Sequence, residues 1–406
     1  MIMNMEKKFN LKYAASMTGF FGLFASMFSF VSVYLLHKGY DNSTIGAVLS
    51  ISGIVSIILQ TTQANFLDKH PKFRVQDAIS INILVVLLGT ILLFITQANY
   101  IVLGIIVFIF AFAQSSETLL NSMAFVFERF GIEINYGFGR GMGSASFAVM
   151  TMLIGYIVEA TTPNMIPVFY MVIGTILLLL VRSYKHPQET DNPVDDMEDS
   201  LDEIEATDQS LFDFFKRYKR LVLLMVGVVF LLFTHTIVNN FFIQIITPIG
   251  GNSAVMGTAV FIGAIVELPA MFNYQRIESR ISANQLLKIA SVFFLIKHVL
   301  TYFAPNMTFI YIAQFFQIGG YALIYPACVS YIRAIVSKKD AVKGQSLFTS
   351  AMAASSVLGS FFGGVLLDQL GVPTTLLVGI TLNIIGLIIV VIATEDKKVA
   401  TVPVNH

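Results

Sequence analysis

Four side chains carry charge where charge is expensive: Glu117, Arg140, Glu267 and Lys297 each lie inside a long apolar stretch. An ionisable group at the centre of a membrane helix costs about 2.5–3.5 kcal/mol on insertion scales, so such residues mark functional sites by default. They form two acid–base sets, one in each half of the chain. At a rise of 1.5 Å per residue, Glu117 falls about 25 Å below one membrane surface and Arg140 about 9 Å above the other, close enough in depth to pair. The same arithmetic brings Glu267 and Lys297 within about two turns of each other. Burial disfavours the charged form of a lone carboxyl, which lets it exchange a proton at working pH. Glu267, Glu117 and the imidazole of His235 are therefore the candidate proton-handling groups. Structural ion pairing is the competing role, and Lys297 and Asp68 are the candidates for it.

Polar stripes surround these charges at helical spacing. Gln114, Glu117, Thr118 and Asn121 share one face, as do Arg140, Ser144 and Phe147. His235, Asn239 and Asn240 make a third set, and Gln314, Gln317 and Tyr321 a fourth. Residues at i, i+3/4 and i+7 point the same way, so the four sets can converge on one cavity. Amides, hydroxyls and rings are what a polyhydroxylated or otherwise polar, neutral solute needs. The expected solute contacts are Glu117, Asn121, Arg140, Phe147, Asn239, Glu267, Gln314 and Gln317. Inter-helical hydrogen bonds that glue a bundle are the other use for such groups.

The elements that must position them are membrane helices. The chain is 56% hydrophobic and 12% charged, against about a quarter charged in a soluble domain. A hydrocarbon core about 30 Å thick takes about 20 apolar residues per helix. The pattern predicts spans at 12–36, 42–66, 76–97, 100–127, 135–159, 164–183, 221–247, 253–275, 284–304, 308–335, 343–368 and 373–394. Continuous apolar runs argue against membrane strands, whose segments are short and alternating. The first stretch lacks a small-residue cleavage site and reads as a retained span. Lys and Arg fall on every second joint. Only Lys38 lies on the opposite side, and Arg140 and Lys297 lie within spans. The positive-inside rule then places both termini in the cytoplasm of a multi-pass protein, expected in a bacterial cell membrane.

Other classes are disfavoured. Zero net charge gives no basic footprint for nucleic acid. Six scattered His and the lone Cys328 supply neither metal-ligand nor nucleophile spacing, so no metal site, disulfide or enzyme activity is expected.

Between the sixth and seventh spans, 184–220 holds a run of acids from Glu189 to Asp213 with no base among them, then Lys216, Arg217, Lys219 and Arg220. Such a composition reads as a solvated tether. It divides the chain into an N-terminal six-helix bundle (1–183), the acidic cytoplasmic linker (184–220) and a C-terminal bundle (221–406).

Six plus six spans with a central tether resembles the major facilitator superfamily. The joint after the second span, Ala64-Asn65-Phe66-Leu67-Asp68-Lys69-His70-Pro71-Lys72-Phe73-Arg74, keeps that family's aspartate and bases, with Ala64 and Pro71 replacing its glycines. The segment Asn135-Tyr136-Gly137-Phe138-Gly139-Arg140 through Phe147 is similar to the opening of the fifth span in the lactose permease and oligosaccharide–proton symporter branch. Related 3-phenylpropionate permease-like and nucleoside symporter groups share it. The resemblance implies that Arg140 contacts sugar hydroxyls and Phe147 supplies the stacking ring. Val266-Glu267-Leu268-Pro269 resembles the branch's eighth span, which implies a sugar-contacting, proton-coupled Glu267. Lys297 stands where the branch has an arginine.

Departures are specific. Gln317 and Gly320 stand where lactose permease has a histidine and its proton-carrying glutamate. The chain has no Trp. The branch's acid of the fourth span aligns near Ser122, more than a turn from Glu117. The aspartate–lysine pair of its seventh and eleventh spans is absent.

The expectation is an all-α, twelve-helix secondary transporter, a proton symporter for a sugar, oligosaccharide or similar polar solute. It would work by alternating access at a site between the halves near the midplane. It would need no cofactor, with the proton gradient as energy source. Small-molecule solute, protons and membrane lipids are its expected partners, and the chain is expected to be monomeric. Phe-rich spans (36 Phe) raise the alternative of a proton-coupled exporter of drugs or amphipathic metabolites. Uptake of aromatic acids or nucleosides is the other alternative.

Overall fold

A computed structural model of the protein describes residues 2–70, 72–128, 132–184 and 211–394. The acidic run of the linker, apart from Asp213, lies outside the described residues. Span 1 is Ile2–His37, span 2 Asn42–Lys69, span 3 Val75–Ile95, span 4 Tyr100–Glu128, span 5 Tyr136–Ala160 and span 6 Ile166–Arg182. In the second half, span 7 is Lys219–Asn240, span 8 Ser253–Phe272, span 9 Ala283–Tyr302 and span 10 Met307–Ile335. No strand occurs among the described residues.

The last helical run, Ala341–Ala393, counts 53 residues. At 1.5 Å per residue it would be about 80 Å long, far more than one bilayer crossing. Gly371 resolves the conflict: its φ of 73° and ψ of 175° are non-helical, in a region essentially reserved for glycine. Two spans result, 11 (341–370) and 12 (372–393), and Pro373 follows the break where a missing N–H costs nothing. Eleven apolar helical runs among the described residues, the last of them broken at Gly371, thus supply the twelve expected crossings.

Polar residues start the spans. Asp41 accepts from Thr44 N at 2.8 Å, Asn135 from Phe138 N at 2.8 Å and Asn306 from Thr308 N at 3.1 Å, each satisfying a helix-end donor. Span 10 is less regular: a 3-10 turn, Phe316–Ile318, and Gly319–Gly320 interrupt it. Faces such as Leu84, Leu88, Ile91 and Ile95 remain exposed, as a hydrocarbon solvent requires.

The chain divides into two compact units. The first holds the six N-terminal spans together with Asn239–Ala264 and Ser360–Asp368, and the second holds the other described residues of the C-terminal half. In the first unit, span 1 packs on spans 5 and 6, and span 4 on spans 2 and 3. Gln63, Asn82 and Ser115 tie spans 2, 3 and 4 through amide and hydroxyl bonds, Gln63 to Asn82 at 2.7 Å. That is the glue expected where lipid offers no hydrophobic drive between helices.

Two helix crossings in this unit are built alike. Gly46 meets Gly364, and a Cβ on Gly46 would lie 3.3 Å from the Gly364 Cα. Gly155 meets Gly257, where a Cβ on Gly155 would lie 2.5 Å from the Ser253 carbonyl oxygen. A carboxylate closes each crossing by accepting from the first amides of the facing helix: Asp368 from Ser43 N at 2.6 Å, Glu159 from Ser253 N at 3.0 Å. Negative charge at a helix N-terminus is favourable by about 0.3–1 kcal/mol. In the second unit Leu224, Val228, Leu286, Leu287, Ala290, Phe294, Ala322 and Cys328 form one continuous core.

Candidate functional site

Span 5 sits unusually close to span 1. A Cβ on Gly139 would meet the Tyr13 ring at 2.6 Å, and one on Gly143 the Phe21 ring at 2.5 Å. This glycine face lets Arg140, one residue on, lay its guanidinium over Phe21 at 4.2 Å from the ring centroid. Arg140 also donates to the Ser144 hydroxyl at 2.8 Å. A guanidinium over a ring face is attractive by about 0.5–2 kcal/mol, more as water is removed. The Arg140–Ser144 face of the sequence pattern is therefore real, with its posture set by Phe21 of span 1.

Aromatic rings extend from there. Phe24 lies 6.1 Å from both Phe21 and Phe147 and stacks on Phe28 at 4.0 Å, and Phe28 reaches Phe110 of span 4 at 4.7 Å. Phe24, Phe28 and Phe147 are only half-buried, like Arg140 and Ser144. Glu117 is half-buried as well. It lies within electrostatic reach of Arg140 but outside ion-pair distance, because Arg140 is spent on Ser144 and Phe21. The close Glu117–Arg140 pair is replaced by a longer-range interaction. Asn121 accepts from the Tyr136 hydroxyl at 3.5 Å. Asn239 is exposed at the end of span 7.

The second unit gathers a polar cluster inside its apolar core. Lys297, 1% exposed, donates to Gln317 Oε1 at 2.5 Å and feels the half-buried Glu267 through space, outside ion-pair distance. His235 stacks on Tyr321 at 5.0 Å and meets Phe294 edge-on at 5.2 Å. His298, 1% exposed, bonds Asn383 Oδ1 through Nδ1 at 3.0 Å and lies 6.4 Å from His235. Gln314 is buried on span 10. The structure thus brings His235, Lys297 and Gln317 into one cluster, and the partner that span 10 gives Lys297 is an amide. A buried ammonium held by a neutral acceptor keeps most of its desolvation cost.

Asp68 is exposed. The ion pairs of its joint belong to Asp77, with Arg74 at 2.8 Å and Arg182 at 3.4 Å. At the corresponding end of the second half Asp340 pairs with Arg217 at 3.2 Å. Sequence reasoning missed Phe21, Phe24, His298 and Asn383. The two aromatics hide among many Phe on an apolar helix. His298 and Asn383, as polar residues within apolar spans, carried the same signal that singled out Lys297.

A dozen apolar crossings with charge and amides sequestered within them define a multi-pass membrane protein, and its family makes it a transporter of the major facilitator type. The chain belongs to the MFS_1 like family, whose model matches residues 11–378. It is 22% identical to a maltose permease of Geobacillus stearothermophilus over 94% of this chain and 93% of the relative. It is 23% identical to an uncharacterized transporter, YwbF, of Bacillus subtilis (strain 168), over 92% of each chain. Among solved structures, the nucleoside transporter NupG superposes with a TM-score of 0.77 at 15% identity, covering 96% of this chain and 99% of that one.

Proposed function

We propose that this chain takes up a sugar, an oligosaccharide or a similar hydroxylated solute by proton symport across a bacterial cell membrane, with both termini in the cytoplasm. The observation that carries this reading is the Arg140 guanidinium laid on Phe21, beside the Ser144 hydroxyl and the half-buried Phe24–Phe28–Phe147 wall. A sugar ring has hydroxyls at its rim and apolar C–H faces, so it needs donors next to aromatic planes. The similarity to a relative named maltose permease supports the same class. Glu267, Asn239, Gln314 and Gln317 are the further solute contacts of this reading. Energy comes from the proton gradient, with Glu267 the principal coupling carboxylate and Glu117 and His235 assisting. No cofactor is required, and one chain suffices.

The stacked Phe24 and Phe28 rings also suit a nucleobase, which makes uridine the second probe. Purified protein reconstituted in liposomes should accumulate radiolabelled maltose when an inward proton gradient is imposed. Glu267→Gln should leave maltose exchange detectable while uphill accumulation disappears. Full accumulation by that variant would remove Glu267 from coupling. Failure of the wild-type protein to move either probe would remove the solute assignment.

A further inference from the structure

His298 and Asn383 answer to nothing in the reading above, yet they are among the most completely buried polar side chains, 1% and 0% exposed. They join spans 9 and 12 through one bond, Nδ1 to Oδ1 at 3.0 Å. The far atom of each, His298 Nε2 and Asn383 Nδ2, meets no hydrogen-bonding group among the described residues. With Oδ1 accepting, Nδ1 carries the imidazole proton and Nε2 is a bare base. With the amide turned over, Nε2 carries the proton and Oδ1 is the orphan. Either way the pair presents one unused donor and one unused acceptor in a dry core, at about 1–3 kcal/mol per orphan. A pair kept for packing alone would be better replaced by apolar residues of similar volume.

The surroundings are electrically active on several sides. Lys297 is the preceding residue on span 9, and its ammonium acts on both His298 and His235. Span 7 supplies the His235 ring at 6.4 Å, and span 8 supplies Glu267, acting through Lys297. Span 10 contributes the neutral groups Gln317 and Tyr321, and span 12 contributes Asn383. No carboxylate lies at ion-pair distance from Lys297 or His298 among the described residues. Three titratable nitrogens are thus gathered in one apolar core with a single acid at longer range, too little negative charge for all to be protonated together.

We propose that His298, oriented by Asn383, carries the transported proton within the C-terminal unit, binding it at Nε2 and releasing it when Lys297 is charged. The proposal rests on the proton-symport reading. An acceptor at Nδ1 serves both states: Asn383 Oδ1 receives the Nδ1–H of the neutral ring and of the imidazolium alike. Nε2 is left as the atom that gains and loses the proton. Glu267 in its charged form strengthens the hold of the cluster on its protons, and protonation of Glu267 weakens it. Proton release in the second unit is in this way tied to the protonation of Glu267.

The test uses full-length protein in liposomes, with radiolabelled maltose and uridine as probes and medium alkalinisation as the proton readout. His298→Gln keeps an amide towards Asn383 but takes no proton. It should lose solute-driven proton uptake and uphill accumulation while counterflow exchange continues. Asn383→Asp places a carboxylate on the ring and should move the pH profile of accumulation to the alkaline side by about one unit or more. Proton uptake by His298→Gln equal to wild type overturns the proposal, and so does an unmoved profile in Asn383→Asp. Loss of exchange in both variants, with intact thermal unfolding, also overturns it by giving the pair a structural role. A solute-free arm compares melting temperatures of wild type and His298→Gln in detergent from about pH 5 to 8. A pH-independent difference there sinks the idea even if neither probe is a substrate. Wild-type transport without proton uptake would instead refute the symport reading.

Discussion

Arg140 shows how a residue's role depends on what stands beneath it. Its charge inside an apolar run was legible, but its planar contact with Phe21 follows from Gly139 and Gly143 admitting the rings of span 1. Lysine at this position keeps the charge and loses both the flat stacking surface and the fixed fork of donors. Arg140→Lys should therefore raise the half-saturating maltose concentration about tenfold, a loss of roughly 1.4 kcal/mol. Initial uptake rates against concentration measure it, and an unchanged half-saturation would show that charge alone matters there. Lys297 teaches the converse: spacing put it within about two turns of Glu267, whereas packing delivers it to Gln317 and leaves the carboxylate at a distance. Spacing along one helix says which face a side chain takes. It does not say which neighbouring helix supplies the partner.

At the scale of elements, the twelve crossings were legible because apolar length and joint charge are strong one-dimensional signals. The break between spans 11 and 12, expected between 368 and 373, falls at Gly371, two residues before Pro373. Gly371 holds a backbone conformation that a Cβ makes costly. Gly371→Ala should lower stability by about 1–3 kcal/mol, read as a lower melting temperature in detergent. An unchanged melting temperature would mean that the helix can bend elsewhere. The paired crossings at Gly46–Gly364 and Gly155–Gly257, with Asp368 and Glu159 as caps, were not legible. Small residues announce that some helix comes close, and the identity of that helix is a long-range fact.

For the whole molecule, orientation is the prediction that charge distribution makes by itself. Cys328 is fully buried, so an added surface cysteine can be labelled against a silent background. In intact cells an impermeant thiol reagent should modify Asn99→Cys directly, and Lys72→Cys only after permeabilisation; the reverse order would invert the topology. The amino-acid sequence alone determined the solvent this chain lives in, the number of crossings, the side on which its bases gather and the short roster of misplaced charges. Each is a sum over neighbouring residues, and the bilayer reads such sums one segment at a time. Tertiary structure alone decided that Arg140 lies on a phenylalanine, that Lys297 leans on an amide and that His298 meets Asn383 across 85 residues. Those contacts depend on helix rotation and on sub-ångström clearance between glycine faces, which no periodicity along one strand of sequence encodes.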